Sequence, residues 1–186
     1  MERTWHSKPE TFLLNREKMA IMISKQKTSR YHKRFSTTIP ITKSKKSGVH
    51  LTLEMFPYGR DGDVESHHAT VLVQISYSVT SCKCQEITEN CKCVVEVKLT
   101  FVNSKTQETL STKEGKTELN PNSSEGCIHI GQALSHSDIL YCKTNEIQVQ
   151  VEASLRCRDK VIAVQSTDPD CLDYMLVTTN HTAPEC

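Results

Sequence analysis

Between Gly48 and Ile75 the chain reads GVHLTLEMFPYGRDGDVESHHATVLVQI, two apolar stretches separated by a strongly punctuated polar turn. Val49, Leu51, Leu53 and Met55 alternate with His50, Thr52, Glu54 and Phe56, which is the period of a strand with one buried face. Pro57, Gly59, Asp61 and Gly62 then stop it, because proline withholds an amide donor and glycine accepts positive φ. Residues 69–75 resume with β-branched and apolar side chains. The spacing predicts a hairpin-like pair of strands, and the remaining elements are placed around it.

The same alternation recurs in CVVEVKLTFV (93–102) and EIQVQVEASL (146–155). Ile128 and Ile130 indicate a short strand, followed by a brief helical turn or loop over 132–139. Residues 161–164 (VIAV) suggest a last strand. Met19 to Ile23 is a short apolar run whose β-branched Ile21 and Ile23 favour a strand over a helix. Residues 103–125 read as a long polar loop. Many short alternating strands with little helical periodicity predict an all-β fold, an antiparallel β-sandwich of about seven or eight strands. In 186 residues this is one domain over 18–165, with 1–17 as a tail or first strand and 166–186 as a C-terminal tail.

The hairpin resembles the central hairpin of TRAF-like (MATH) domains, in which matching glycines stand eleven residues apart, as Gly48 and Gly59 do. Trp5 followed by Phe12, Pro40-Ile41-Thr42, Glu125-Gly126-Cys127 and residues 134–138 (LSHSD) echo the same family, so the resemblance spans roughly residues 5–157. It implies an antiparallel sandwich that binds extended peptides of receptors or signalling partners along one edge. The positions that would contact the peptide hold Glu54, Phe56 and Arg60, with Ser123, Ser124 and Gly126 forming part of a serine pocket. The family's basic residue is replaced by Glu54, its tyrosine by Phe56 and its aspartate by Arg60. The resemblance therefore implies a ligand with a basic residue near Glu54. The family's trimeric assembly is the oligomer it would imply.

Composition narrows the function. A net charge of +1 gives no whole-chain case for nucleic acid or for an acidic membrane. No apolar run is long enough to span a bilayer. MERTWHSKPETF lacks the apolar centre of a secretory signal, so a cytoplasmic setting is expected. No RING cysteine–histidine pattern and no heptad run occur, so an adaptor role would be that of a free-standing domain. From Lys18 to Leu53 there are nine Lys or Arg and no acidic residue. Their spacing is neither helical nor groove-like, so this stretch reads as a solvated face, or as a salt-sensitive anion-attracting one.

Nine cysteines are the unusual feature. Cys82-Lys-Cys84 and Cys91-Lys-Cys93 flank six residues. As a hairpin they would set Cys84 opposite Cys91 and Cys82 opposite Cys93, with four sulfurs converging. Such a set fits tetrahedral Zn²⁺, cross-strand disulfides or neither; structural zinc sites usually use wider Cys-x2–4-Cys pairs. No resident cofactor is otherwise expected. A disulfide-bearing chain would instead be a secreted cysteine-stabilised β-sandwich, a ligand or receptor fragment, with Asn122 and Asn180 as glycosylation triplets.

Catalytic groupings are sparse. His67 and His68 adjoin Asp61, Asp63 and Glu65, but neighbours on an extended chain face opposite ways. Cys127 with His129 or His136 suggests a nucleophile pair, yet Cys127 reads as buried packing material. Without a phosphate loop or a nucleophile elbow, no enzyme is expected.

Overall fold

In the computed structural model of the protein, residues 2–41, 48–60, 67–77, 91–120 and 122–159 are described. They form two antiparallel layers. The expected hairpin is present as β4 (Gly48–Phe56) and β5 (His68–Tyr77), paired from Val49↔Tyr77 to Phe56↔Thr70. Val49, Leu51, Leu53 and Met55 are all buried, as the alternation predicts. With β3 (Phe35–Pro40) and β8 (Glu125–Ser135) they make a sheet ordered β3-β4-β5-β8.

The second sheet is built on two long strands, β6 (Cys91–Asn103) and β9 (Glu146–Asp159). With β1 (Glu2–His6), β2 (Glu10–Asn15) and β7 (Thr109–Glu118), its order is β1-β9-β6-β7, and β2 also pairs with β9, beyond β1. The N-terminal segment is thus two strands of this sheet rather than a tail. With β1 and β2 counted separately, nine strands are described. Core side chains from both sheets, including Leu14, Leu51, Ile75, Leu99, Phe101, Ile147 and Leu155, are fully or almost fully buried between the layers.

Three local expectations are overturned. Residues 103–125 contain β7 (Thr109–Glu118), which pairs with β6. The Asn103 side chain accepts amides from Lys105 and Thr106, closing a hairpin turn. Apolar alternation is missing from β7 because it is an edge strand at the seam of the sandwich. A Cβ on Gly115 would lie 2.5 Å from Cγ2 of Ile128, so the opposite sheet already fills that space.

Second, residues 19–23 lie in a helix, α1 (Arg16–Ser24). The Asn15 side chain caps it by accepting the Lys18 amide. Met19 and Ile23, one turn apart, are buried. Gln26, at a φ of 52°, ends the helical run.

Third, β8 runs on to Ser135, with a register shift opposite Thr70 and Gln132 at a φ of 50°, before α2 (His136–Tyr141). Residues 161–164 and 166–186 lie outside the described residues.

Candidate functional site

The six residues of the expected peptide site all belong to the β3-β4-β5-β8 sheet or its turns, but they do not converge. Glu54 and Phe56 share the outer face of β4 with Thr52 and His50. Arg60 follows in the turn at Gly59, whose φ of 103° suits glycine. The Arg60 guanidinium carbon stands 5.7 Å from the centre of the Phe56 ring. Ser123 and Ser124 lie at the opposite end. Ser124 accepts the Tyr77 amide through its carbonyl, and Ser123 Oγ donates to the Glu125 carbonyl. Gly126 pairs with Ile75. Phe56 faces Thr70 and Ser124 meets Tyr77, so the two groups are separated by about 23 Å of extended strand.

Glu54 has a setting that its position alone does not reveal. It is 6% exposed. Arg30 Nη1 lies 2.7 Å and Arg34 Nε 2.8 Å from its Oε1, while Gln74 Nε2 donates to Oε2 at 3.4 Å. A ligand cation approaching Glu54 would have to displace two arginines of the protein itself. The expectation of a basic ligand residue at Glu54 therefore loses its premise: the cluster of Arg30, Arg34 and Glu54 carries a net positive charge.

The two groups are joined through β5, which pairs with β4 on one side and with β8 on the other. The bond from the Tyr77 amide to the Ser124 carbonyl fixes the phase of the β5–β8 ladder. Hydrogen-bonded and non-hydrogen-bonded pairs alternate in an antiparallel ladder. Gly126 and Ile128 therefore turn their amides toward β5, and Cys127 turns its amide and carbonyl away from β5, toward the edge. Cys127 is exposed on the outer face, not buried as the sequence suggested. The inward positions of this strand belong to Ile128 and Ile130 instead. His129 is also on the outer face.

His136 lies elsewhere, at the start of α2. Its ring stacks on Tyr58 with centres 5.7 Å apart, and the His67 ring stands edge-on at 6.2 Å. Its amide donates to the His67 carbonyl. Nε2 is buried with no hydrogen-bond partner among the described residues. Burial first, then the neighbouring His67 and His68 imidazoles, lower its pKa below the ordinary 6.5, against the opposing backbone of Pro57 and Tyr58. The unfolded chain thus binds this proton more readily than the folded one. The contribution is intact above about pH 6.5 and is lost as pH falls toward the folded value. Urea midpoints measured across this range should fall on acidification, and His136→Gln should flatten that part of the profile; an unchanged slope would rule out His136 as its source.

The cysteines are arranged differently from the expected hairpin. At Cys93, β6 is flanked by β9 on one side, and the Leu119 amide bonds the Cys93 carbonyl on the other. Cys93 is instead joined by a disulfide to Cys157, directly across the ladder with Cα atoms 4.1 Å apart. Because the Cys93 carbonyl points to the β7 side, this is a non-hydrogen-bonded pair, the closer of the two kinds. Cys82 and Cys84, the side chain of Cys91, and Asp61, Asp63 and Glu65 lie outside the described residues. Among the described residues, no group of three or more His, Cys, Asp or Glu is placed to hold a metal ion.

No protein-family model matches the chain, and no curated protein is significantly similar to it.

Both ends of the β3-β4-β5-β8 sheet are sparsely charged: β3, FSTTIP, carries no charged side chain and closes on Pro40, and β8 is the end whose interior is free of proline. Edge strands normally guard their unpaired backbone with charge. The β7 edge follows this rule with Lys113, Glu114, Lys116 and Glu118 in ten residues. In β8, Glu125 to Ile130 reads EGCIHI, with a single carboxylate. Sequence reading missed the orientation of Cys127, since the phase of a ladder is a property of two strands together.

Proposed function

We propose that this protein is a non-enzymatic interaction module of TRAF-like kind that binds an extended peptide of a receptor or signalling partner along β8. The reading is carried by one observation: β8 ends its sheet, sparsely charged, with the Cys127 backbone turned outward. A peptide added there would bond to the main chain beside Ser123, Ser124 and Gly126, part of the set that the resemblance picks out. Those three flank one end; Glu54 and Phe56 lie on β4, two strands in from β8, with Arg60 in the turn that follows. The arginine-held Glu54 and the ring-stacked Arg60 favour an acidic group on a ligand side that crosses the outer sheet face to β4. The positions of Gly48, at the start of β4, and Gly59, in its exit turn, support the family reading, because both glycines do what the hairpin pattern requires. A cytosolic adaptor or regulator is the setting that accompanies it.

The test is a peptide array probed with the native protein and with Cys127→Pro. Proline removes an edge donor but no bond of the β5–β8 ladder. Peptide binding should weaken at least tenfold while the unfolding free energy stays within about 0.5 kcal/mol of the parent, the range for surface changes. Equal binding by both proteins would exclude strand addition at β8.

A second reading has its own observation. The Cys93–Cys157 bond belongs to oxidising compartments, and Asn122, of the triplet Asn122-Ser123-Ser124, is exposed. Both favour a secreted cysteine-stabilised β-sandwich, a ligand or receptor fragment. The mass of the protein from its native source separates the two: glycan on Asn122 selects the secreted form, and nine free thiols select the cytosolic one.

A further inference from the structure

We propose that α1 and the segment 25–34 after it form a docking surface for an anionic lipid bilayer. The large hydrophobic side chains left exposed among the described residues are Leu13, Ile21 and Tyr141. They sit on β2, α1 and α2. These elements meet at the first turn of α1, where the Arg16 amide donates to the Asn145 carbonyl and Arg16 Nη1 to the Leu140 carbonyl. The helix turns Met19 and Ile23 inward, leaving Lys18, Ile21, Ser24 and Lys25 exposed.

The following segment is exposed at every position from 25 to 34 except Tyr31. Tyr31 pins it to the fold: its amide donates to the Met55 carbonyl and its hydroxyl accepts the Asn15 amide. The loop is therefore presented in a fixed place. It displays Lys25, Lys27, Arg30, Lys33 and Arg34. Against these and Lys18 stand Glu17 and the Glu54 carboxylate that holds the two arginines. Among the described residues no carboxylate pairs with Lys18, Lys25, Lys27 or Lys33.

Charge complementarity calls for an anionic partner. The exposed Ile21 between lysines, with an 80% exposed Tyr141 on the adjoining α2, decides its class. An acidic protein or a nucleic acid would be attracted by the lysines alone. A lipid surface also takes up the aliphatic side chain, holds a tyrosine at its polar boundary and lets lysine stems lie along it. Two weak signals, charge and apolar insertion, combine into reversible association.

The experiment is co-sedimentation of the full chain with phosphatidylcholine vesicles, with and without phosphatidylserine, at low and high salt. Binding should require phosphatidylserine and fall with salt. Lys25→Gln with Lys27→Gln should reduce it roughly 25-fold, about fivefold per charge removed. Ile21→Ser should reduce it roughly fivefold with no change in binding to heparin, a lipid-free polyanion. Circular dichroism verifies that both variants fold. Absence of binding to phosphatidylserine vesicles overturns the proposal. So does an Ile21→Ser protein that binds them as well as the parent, because the attraction would then be that of any acidic macromolecule.

Discussion

Reducing the Cys93–Cys157 bond is expected to lower the unfolding free energy by about 4 kcal/mol, the chain-entropy value for a loop of this length. The two cysteines are 64 residues apart in sequence. The closed loop holds β7, β8, α2 and most of β6 and β9, so the unfolded chain gains much freedom when it opens. A domain of this size has ~5–15 kcal/mol in total to lose, so the change is a large fraction of its stability. Both sulfur-bearing residues are buried, Cys93 at 1% and Cys157 at 5% exposure. Urea unfolding with and without reductant, beside a Cys93→Ala/Cys157→Ala variant, measures the effect. The reduced protein and the variant should share a lower midpoint, with a steeper denaturant dependence from a more expanded unfolded state. Coincident midpoints with and without reductant would mean that the bond does not contribute.

Phe101→Ala is expected to cost about 3–5 kcal/mol, the range for emptying a fully buried aromatic site. Phe101 has no exposed surface. It borders a small apolar void of about 10 Å³ together with Leu14, Phe35, Leu53, Met55, Val71, Leu99 and Val149. These residues come from both sheets, on strands β2, β3, β4, β5, β6 and β9. The rings of Phe12 and Phe35, 4.8 Å apart, extend the same contact outward. Truncation would merge the void with the space of a benzene ring, and the two sheets are held apart by too many other side chains to close on it. The cavity should stay dry and take up xenon or benzene, which would restore part of the loss. Denaturant unfolding with and without benzene tests this; a loss below about 1 kcal/mol would mean that the layers collapse freely at this point.

The strands that could be read in advance are those whose neighbours lie on both sides and whose inward face is wholly apolar. β4, β5, β6 and β9 meet that condition, and their alternation survives intact in the burial of every second residue. β7 fails it. Its inward positions, Ser111, Lys113, Gly115 and Thr117, oppose Phe101, Leu99, Val97 and Val95 across the ladder, and the opposite sheet intrudes at Gly115. The helix α1 was hidden for a different reason: five apolar residues in a row fit either period. The Asn15 cap and the packing of Met19 and Ile23 decide between them.

At the candidate site, the sequence placed Glu54, Phe56 and Arg60 correctly on β4 and its exit turn, yet it left Glu54 with the wrong electrostatic company. Burial at that point comes from Arg30 and Arg34, more than twenty and exactly twenty residues upstream respectively, brought in by the pinned loop. The partner of Cys93 was hidden in the same way. Cys-x-Cys spacing describes only one strand, whereas a partner for Cys93 is chosen by which strand lies alongside.

By itself, then, the sequence determined the layer type, the central hairpin and the inward face of the long strands, because a period of two is a local property of an extended chain with one wet side. The tertiary structure alone decided that Cys93 meets Cys157, that Glu54 is held by two arginines, that His136 is buried against Tyr58, and that the Cys127 backbone looks outward. Each depends on the register between segments far apart in the chain. Register is set by the summed burial of whole strands, and no single stretch of the sequence contains that sum.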